Sequence, residues 1–339
     1  MASSAGNSSH SSHASRVAQL RLRAIVGAHT ESEVSEFGQA VGLVAEDVAW
    51  VLVTGRHERS LGPALMWALR KNAKVLKLFS DESAGDLARI ATHFDFAIEV
   101  FVVDASGVAR VAVPKSVENL EVSVADEMFA EFIKSAGAEV VREHGVVAGE
   151  VCGLEVCRVV RRADADASGV GTVSELEIGV GAHDRETFKL LHGRTATIES
   201  LRKVIAEVAA RRVLGAQVHP LNQLARERML RHYVCQSPQL VGAKSLQPAQ
   251  PPTARTNLKD AVPCCAVGVS TSGDKMVVIF SVGVDPDVVA FGADARGQIN
   301  SAAELVFAMP TRDIVPALER VAQLLRRPAR FVGVDVLRA

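Results

Sequence analysis

Few folds accommodate the run Val48-Ala49-Trp50-Val51-Leu52-Val53, which is apolar without alternation and is closed by Thr54-Gly55. A strand apolar at every position is buried on both faces, and that happens in parallel sheets covered by helices. A polar loop, Arg56 to Ser60, then leads to Gly62-Pro63 and the stretch Ala64 to Arg70. Proline just inside a helix start lacks only an N–H that the first turn leaves unpaired, so the pattern predicts a strand followed by a helix. Lys74 to Phe79 and Ile98 to Val103 read as further strands, with a helix over Ser80 to His93 between them. Helical spacing also marks Val17 to Val26 and, more weakly, Glu31 to Gly42. This βαβαβ series predicts a Rossmann-like three-layer α/β domain over residues 16–115. Residues 1–15, a run of Ser, Ala, Gly, Asn and His without a basic or apolar segment, read as a disordered tail and not as a secretory signal.

Residues 116–339 read as an α+β domain. A helix over Val124 to Ala136 precedes a three-strand antiparallel meander, Gly145 to Val151, Leu154 to Arg161 and Ser174 to Val180. Cys152-Gly153 has the length of a two-residue hairpin turn. Helices follow over Glu199 to Val213 and Pro220 to Val234, then a proline-rich loop at 236–263. Strands are expected at Cys264 to Val269, Lys275 to Val282, Glu304 to Ala308 and Phe331 to Val336, with a helix over Ile314 to Arg326. No apolar stretch approaches the ~18 residues of a membrane span. Five cysteines, an odd and low number, fit a reducing, cytoplasmic setting better than a disulfide framework. Cys152 and Cys157 lack a second pair for zinc, and vicinal Cys264-Cys265 begins a core-like strand.

Four groups of residues carry chemistry. Asp164, Asp166, Ser168 and Glu175 reproduce calcium-loop spacing, but they sit between strand-like flanks, which favours a solvated hairpin loop. Glu155 on the second meander strand, with Glu175 and Glu177 sharing a face of the third, are candidate metal ligands. The order helix, meander, helix, strand over about residues 120–215 is similar in outline to the restriction-endonuclease-like core. That resemblance implies Mg²⁺ held by these carboxylates to activate water on a phosphodiester. It also implies a lysine two residues after the third-strand acid, where this chain has Gly179. His183 and Arg185, at a strand-to-helix junction beside Asp184, are candidate catalytic residues, although Asp184 alone serves as well as a helix cap. Gly55, Arg56, His57 and Gly62, between a parallel strand and a helix N-terminus, are candidate cofactor-binding residues without a dinucleotide fingerprint or a P-loop.

The whole chain has a formal net charge of -1, yet residues 116–184 hold 5 basic and 14 acidic side chains while 185–235 hold 10 and 4. Such blocks either line a phosphate groove or pair with each other, within the chain or across a dimer, and pairing is preferred. Aromatic residues are only 4% of the chain, so a bound nucleic acid would be held by charge and not by stacking. Two functions follow. The preferred one is a non-catalytic cytosolic binding or assembly protein with a protein partner or a second copy. The other is an Mg²⁺-dependent phosphodiesterase or nuclease-like enzyme.

Overall fold

The computed structural model describes residues 5–27, 32–54, 59–117, 120–163, 172–192, 197–214, 219–255 and 257–337. The protein is mixed α/β, with sheets of six, four and five strands. Its contacts divide it into two units, the first taking Met1–Val117, Asp285–Gln298 and Val315–Ala329 and the second the remainder.

The first unit begins with α1 (Ala5–Val26), β1 (Ser35–Phe37), β2 (Ala40–Ala45), β3 (Val48–Val53) and α2 (Leu61–Arg70). It continues with β4 (Val75–Ser80), α3 (Ala84–Ala91), β5 (Ala97–Val103) and β6 (Ala109–Val111). Ala18 and Leu22 of α1 pack on Val41, Leu43, Leu52 and Phe79, covering one face of the sheet. A Cβ on Gly42 would lie 2.7 Å from the Trp67 ring, so α2 covers the other face. Three layers result, with β3, β4 and β5 parallel, as the unbroken apolar run of β3 implies.

Several expectations change here. Strand order is consecutive from β1 to β6, without the reversal on which a Rossmann-like switch point depends. Of the weak helix expected over Glu31 to Gly42, the described residues from Ser32 on form no helix. Gly38, at φ +56°, turns β1 back against β2, and Phe37 stacks on Trp67 at 4.9 Å. Helix α1 starts at Ala5, inside the segment read as a tail.

The second unit holds α4 (Val124–Glu127), α5 (Phe129–Ala136), β7 (Glu139–Glu143), β8 (Val146–Val151), β9 (Leu154–Ala163) and β10 (Thr172–Ile178). It goes on with α6 (Gly181–His192), α7 (Ile198–Arg211), α8 (Pro220–Gln223), α9 (Arg226–Gln236), β11 (Ala243–Ala249), β12 (Cys264–Ser270) and β13 (Lys275–Phe280). After α10 (Val288–Asn300), whose residues up to Gln298 belong to the first unit, β14 (Glu304–Met309) returns to the second. Helix α11 (Pro316–Ala322) lies in the first unit, and β15 (Ala329–Gly333) closes the five-stranded sheet.

The meander has four strands and not three, in the order β10-β9-β8-β7. Part of the expected proline-rich loop is β11, an edge strand, where Pro248 is tolerated. The predicted helix from Pro220 is broken at Ala225, which adopts φ +47°. Gly149 lets α5 approach the four-stranded sheet, since a Cβ there would meet Ile133 at 2.7 Å and Cys157 at 2.6 Å. That face carries Val147, Cys157, Val159, Leu176 and Ile178, packed with Ile133 of α5 and Leu201 and Val208 of α7.

Candidate functional site

The opposite face of the four-stranded sheet is acidic. Registers pair Glu139 with Glu150, Glu150 with Glu155, and Arg158 with Glu177, and residues directly opposed across a ladder share a face. By the period of two, Glu143 and Glu175 join them. Glu155 and Arg158, three residues apart, reach the same side because a bulge between Gly149 and Glu150 inserts one extra residue in β9. Six carboxylates on one sheet face would demand water or cations. They have cations, supplied by α6 and α9.

From α6, Arg185 reaches Glu155 at 2.9 Å and Glu177 at 3.6 Å, and Lys189 lies 3.9 Å from Glu175. From the sheet itself, Arg158 lies 3.1 Å from Glu155, while Arg162 bridges Glu177 and, at 3.5 Å, Glu175. The three candidate metal ligands therefore lie together, each already engaged by guanidinium or ammonium groups. Among the described residues no cluster of three His, Cys, Asp or Glu side chains is arranged to hold a metal ion. The candidate catalytic pair divides: Arg185 is buried in this layer, whereas His183 and Asp184 face solvent on α6. The calcium-like loop falls at 164–171, outside the described residues, between strands β9 and β10.

From α9, Arg228 and Arg231 each bind both Glu143 and Glu150, closing a four-membered ring. Arg231 meets both acids at 2.9 Å and is 1% exposed. Burial alone would raise the Glu150 carboxyl, but the two arginines pull it down to about 2. The helix affords this because its other side is apolar: Met229, Leu230 and Val234 pack on Ala266, Val278 and Phe280 of the five-stranded sheet. One turn on, His232 Nδ1 lies 3.1 Å from Glu139 Oε2. Its Nε2 lies 3.0 Å from Gln236 Nε2, one turn further along the same helix.

Arg212 follows α7 and is fully buried, with no carboxylate partner among the described residues. It donates instead to four backbone carbonyls, those of Cys152 (2.7 Å), Leu221 (2.6 Å), Leu224 (2.8 Å) and Ala225 (3.0 Å). Burial pushes its guanidinium down to about 10. Its role is to hold the broken segment between α7 and α9, whose Ala225 places α9 over the acidic face.

The candidate cofactor residues belong to the first unit, and Gly55, Arg56 and His57 lie outside the described residues. Gly62 is resolved in the first turn of α2, where its N–H donates to Asp287 Oδ1 at 2.7 Å. A Cβ on Gly62 would lie 2.3 Å from the Pro286 carbonyl. The positive end of α2 is thus filled by the protein's own carboxyl group, where a phosphate would otherwise bind. Burial, with Asp285 beside it, raises Asp287 to about 8. A carboxyl raised on folding adds stability that is complete below its ordinary value near 3.8 and is lost as pH rises through about 8. The stability of this unit is expected to fall across that window, and Asp287→Asn to flatten the slope, read by denaturant unfolding at a series of pH values. An unchanged slope would remove Asp287 as its origin.

A search of protein-family models and of curated proteins returns no match to this chain. What the site can do is therefore argued from its residues. A groove of about 400 Å³ on the five-stranded sheet, lined in part by Ser245, Gln247, Lys275 and Asn300, shares no residue with the acidic face and has Lys275 as its sole charged side chain. Sequence reading missed Glu139 and Glu143, because β7 was not expected, and missed Glu150, on an expected strand, and His232.

Proposed function

We propose that the chain is a non-catalytic binding or assembly protein of a reducing, cytoplasmic compartment, recognising a protein partner or a second copy of itself. The observation that carries this reading is Arg185, whose guanidinium lies 2.9 Å from Glu155 and 3.6 Å from Glu177, in the space a divalent ion would need. A buried arginine held by two carboxylates is displaced only by exposing an unpaired buried cation. Nucleic acid is not favoured, because Arg185, Arg212, Arg228 and Arg231 turn inward onto carboxylates or carbonyls. On α7, the exposed Arg202, Lys203 and Arg211 are interspersed with exposed Glu199 and Glu207. All five cysteines are free, which suits a reducing setting. No helix among the described residues is long and apolar enough to cross a membrane.

The helix–meander–helix order keeps a metal-dependent phosphodiesterase as the competing reading, and a titration separates the two. A metal present at a hundred times its Kd adds about 2.7 kcal/mol to the folded state. In a unit of this size that raises Tm by roughly 5–10 °C. Addition of Mg²⁺ or Mn²⁺ is expected to leave Tm unchanged and to support no cleavage of single- or double-stranded nucleic acid. A rise of that size, or cleavage lost in Glu155→Ala, would overturn the proposal. So would sedimentation as a strict monomer, unaltered by cell extract.

A further inference from the structure

Helices α1 and α9 hold the same place in two sheets. Each precedes three strands that pair antiparallel in turn, β1, β2 and β3 after α1 and β11, β12 and β13 after α9. The third strand then pairs in parallel with the next, β4 or β14, after an intervening helix. Leu22, Ile25 and Val26 of α1 pack on the first sheet as Leu230, Tyr233 and Val234 of α9 pack on the second. Leu22-Arg23-Ala24-Ile25-Val26 thus lines up with Leu230-Arg231-His232-Tyr233-Val234, and Leu20 is the counterpart of Arg228. The outward face of α9 is covered, because Arg228, Arg231 and His232 reach glutamates of β7 and β8. The matching face of α1 is open: Leu20 is 63% exposed, Val17 43%, and Ala24 is exposed as well.

Spacing of three and four residues puts Val17, Leu20 and Ala24 on one side of α1. That helix carries three arginines, Arg16, Arg21 and Arg23, and no acidic residue. The same chain exposes a surface of opposite character on α4 and α5. Val124 is 85% exposed and Met128, one turn on, 78%. Three residues beyond each stand exposed carboxylates, Glu127, which Arg142 also holds, and Glu131. Adjacent exposed apolar side chains rimmed by charge mark protein interaction sites. We infer that α1 of one copy docks on the α4–α5 face of a second copy of this chain, with Val17 and Leu20 against Val124 and Met128 and the arginines beside the glutamates. This rests on the assembly reading above and names its partner and surface.

A second copy is favoured because the chain itself supplies both halves of the match, an apolar stripe edged by cations and an apolar pair edged by carboxylates. Two α1 faces would set arginine against arginine, and two α4–α5 faces glutamate against glutamate, and like charges brought together oppose association. In the mixed contact the apolar side chains form a dry centre, while the charged rim fixes register and speeds encounter. Salt therefore weakens the contact by screening the rim.

The test is sedimentation equilibrium of the full chain over micromolar concentrations, at low and at high salt. The wild-type chain is expected to self-associate, more weakly at high salt. Leu20→Glu and, separately, Val124→Glu are each expected to weaken association ~10-fold or more, the loss from one spoiled central contact. Leu20→Glu combined with Val124→Lys is expected to recover association relative to Leu20→Glu alone, since residues in direct contact are coupled. Both positions are exposed, so melts of the dilute protein are expected to stay unchanged. Association that survives in both single variants, or no recovery in the double variant, would overturn this contact and leave self-recognition standing. A strict monomer would overturn it too, and the assembly reading falls with it only if cell extract also leaves the monomer unaltered. Monomer that binds phosphatidylserine vesicles and loses them in Leu20→Glu would give the α1 face to a membrane and overturn the inference.

Discussion

Glu150→Ala is expected to destabilise the second unit by about 3–5 kcal/mol, the cost of removing one partner from a buried ion pair. Glu150 is 2% exposed and holds both Arg228 and Arg231, of which the latter is 1% exposed. Its loss leaves two desolvated guanidinium groups sharing Glu143 alone. The same ring is not a large net source of stability, because four charges had to leave water to form it. Replacing Glu150 and Arg231 together with leucine and methionine is therefore expected to recover much of the loss. Urea unfolding of the two variants measures this directly, and a loss below about 1 kcal/mol for Glu150→Ala would mean that the ring is solvated. The pH dependence has a definite sign. A carboxyl lowered on folding adds stability that is present above its ordinary value near 4.5 and is lost as pH falls through about 2.

Arg212→Met is the second large effect, expected at about 2–4 kcal/mol. Methionine fills the stem's volume but removes every Arg212 hydrogen bond; the Leu221 and Ala225 carbonyls still accept from the backbone N–H groups of Leu224 and Met229, whereas those of Cys152 and Leu224 lose their donor, and each orphaned group costs about 1–3 kcal/mol. Part of that is offset, since burial of the guanidinium was itself unfavourable, as its lowered value near 10 records. Arg212→Lys is expected to recover little, because one ammonium lacks the planar fork that spans Cys152, Leu221, Leu224 and Ala225. Hydrogen exchange should show the damage at 221–229 first, where α8 gives way to α9. If the variant melts as the parent does, water has taken over the Cys152 and Leu224 carbonyls.

Much of the architecture was legible because local signals agreed with the fold. The Val48–Val53 run, the Gly62-Pro63 helix start and the Cys152-Gly153 turn are each decided within a few residues, and all three appear as expected. What sequence reading missed shares one cause. Strand β7, Glu-Val-Val-Arg-Glu, lacks a polar–apolar alternation, and its glutamate-bearing face is covered by α9 and not by water. Helix α9, Arg-Glu-Arg-Met-Leu-Arg-His-Tyr-Val-Cys-Gln, reads as a surface helix although Arg228 and Arg231 are buried. Pattern reading assigns charge to solvent, and the pairing of an acidic block with a basic block breaks that assumption in both partners at once. The same covering hid the pair His232 and Glu139, which are 93 residues apart in sequence and meet only because α9 packs on the sheet.

The hydrogen bond from Gly62 to Asp287 has a consequence for synthesis. The two residues are 225 apart in sequence. At a translation rate of about 5–20 residues per second, the start of α2 waits roughly 10–45 s on the ribosome before its carboxyl partner exists. The first unit, needing Asp285–Gln298 and Val315–Ala329, cannot close while the chain is still short, and its β-strands meanwhile stand without those segments. Nascent chains halted near Val117 should bind a hydrophobic-surface probe or a holdase chaperone, and those released after Ala329 should not.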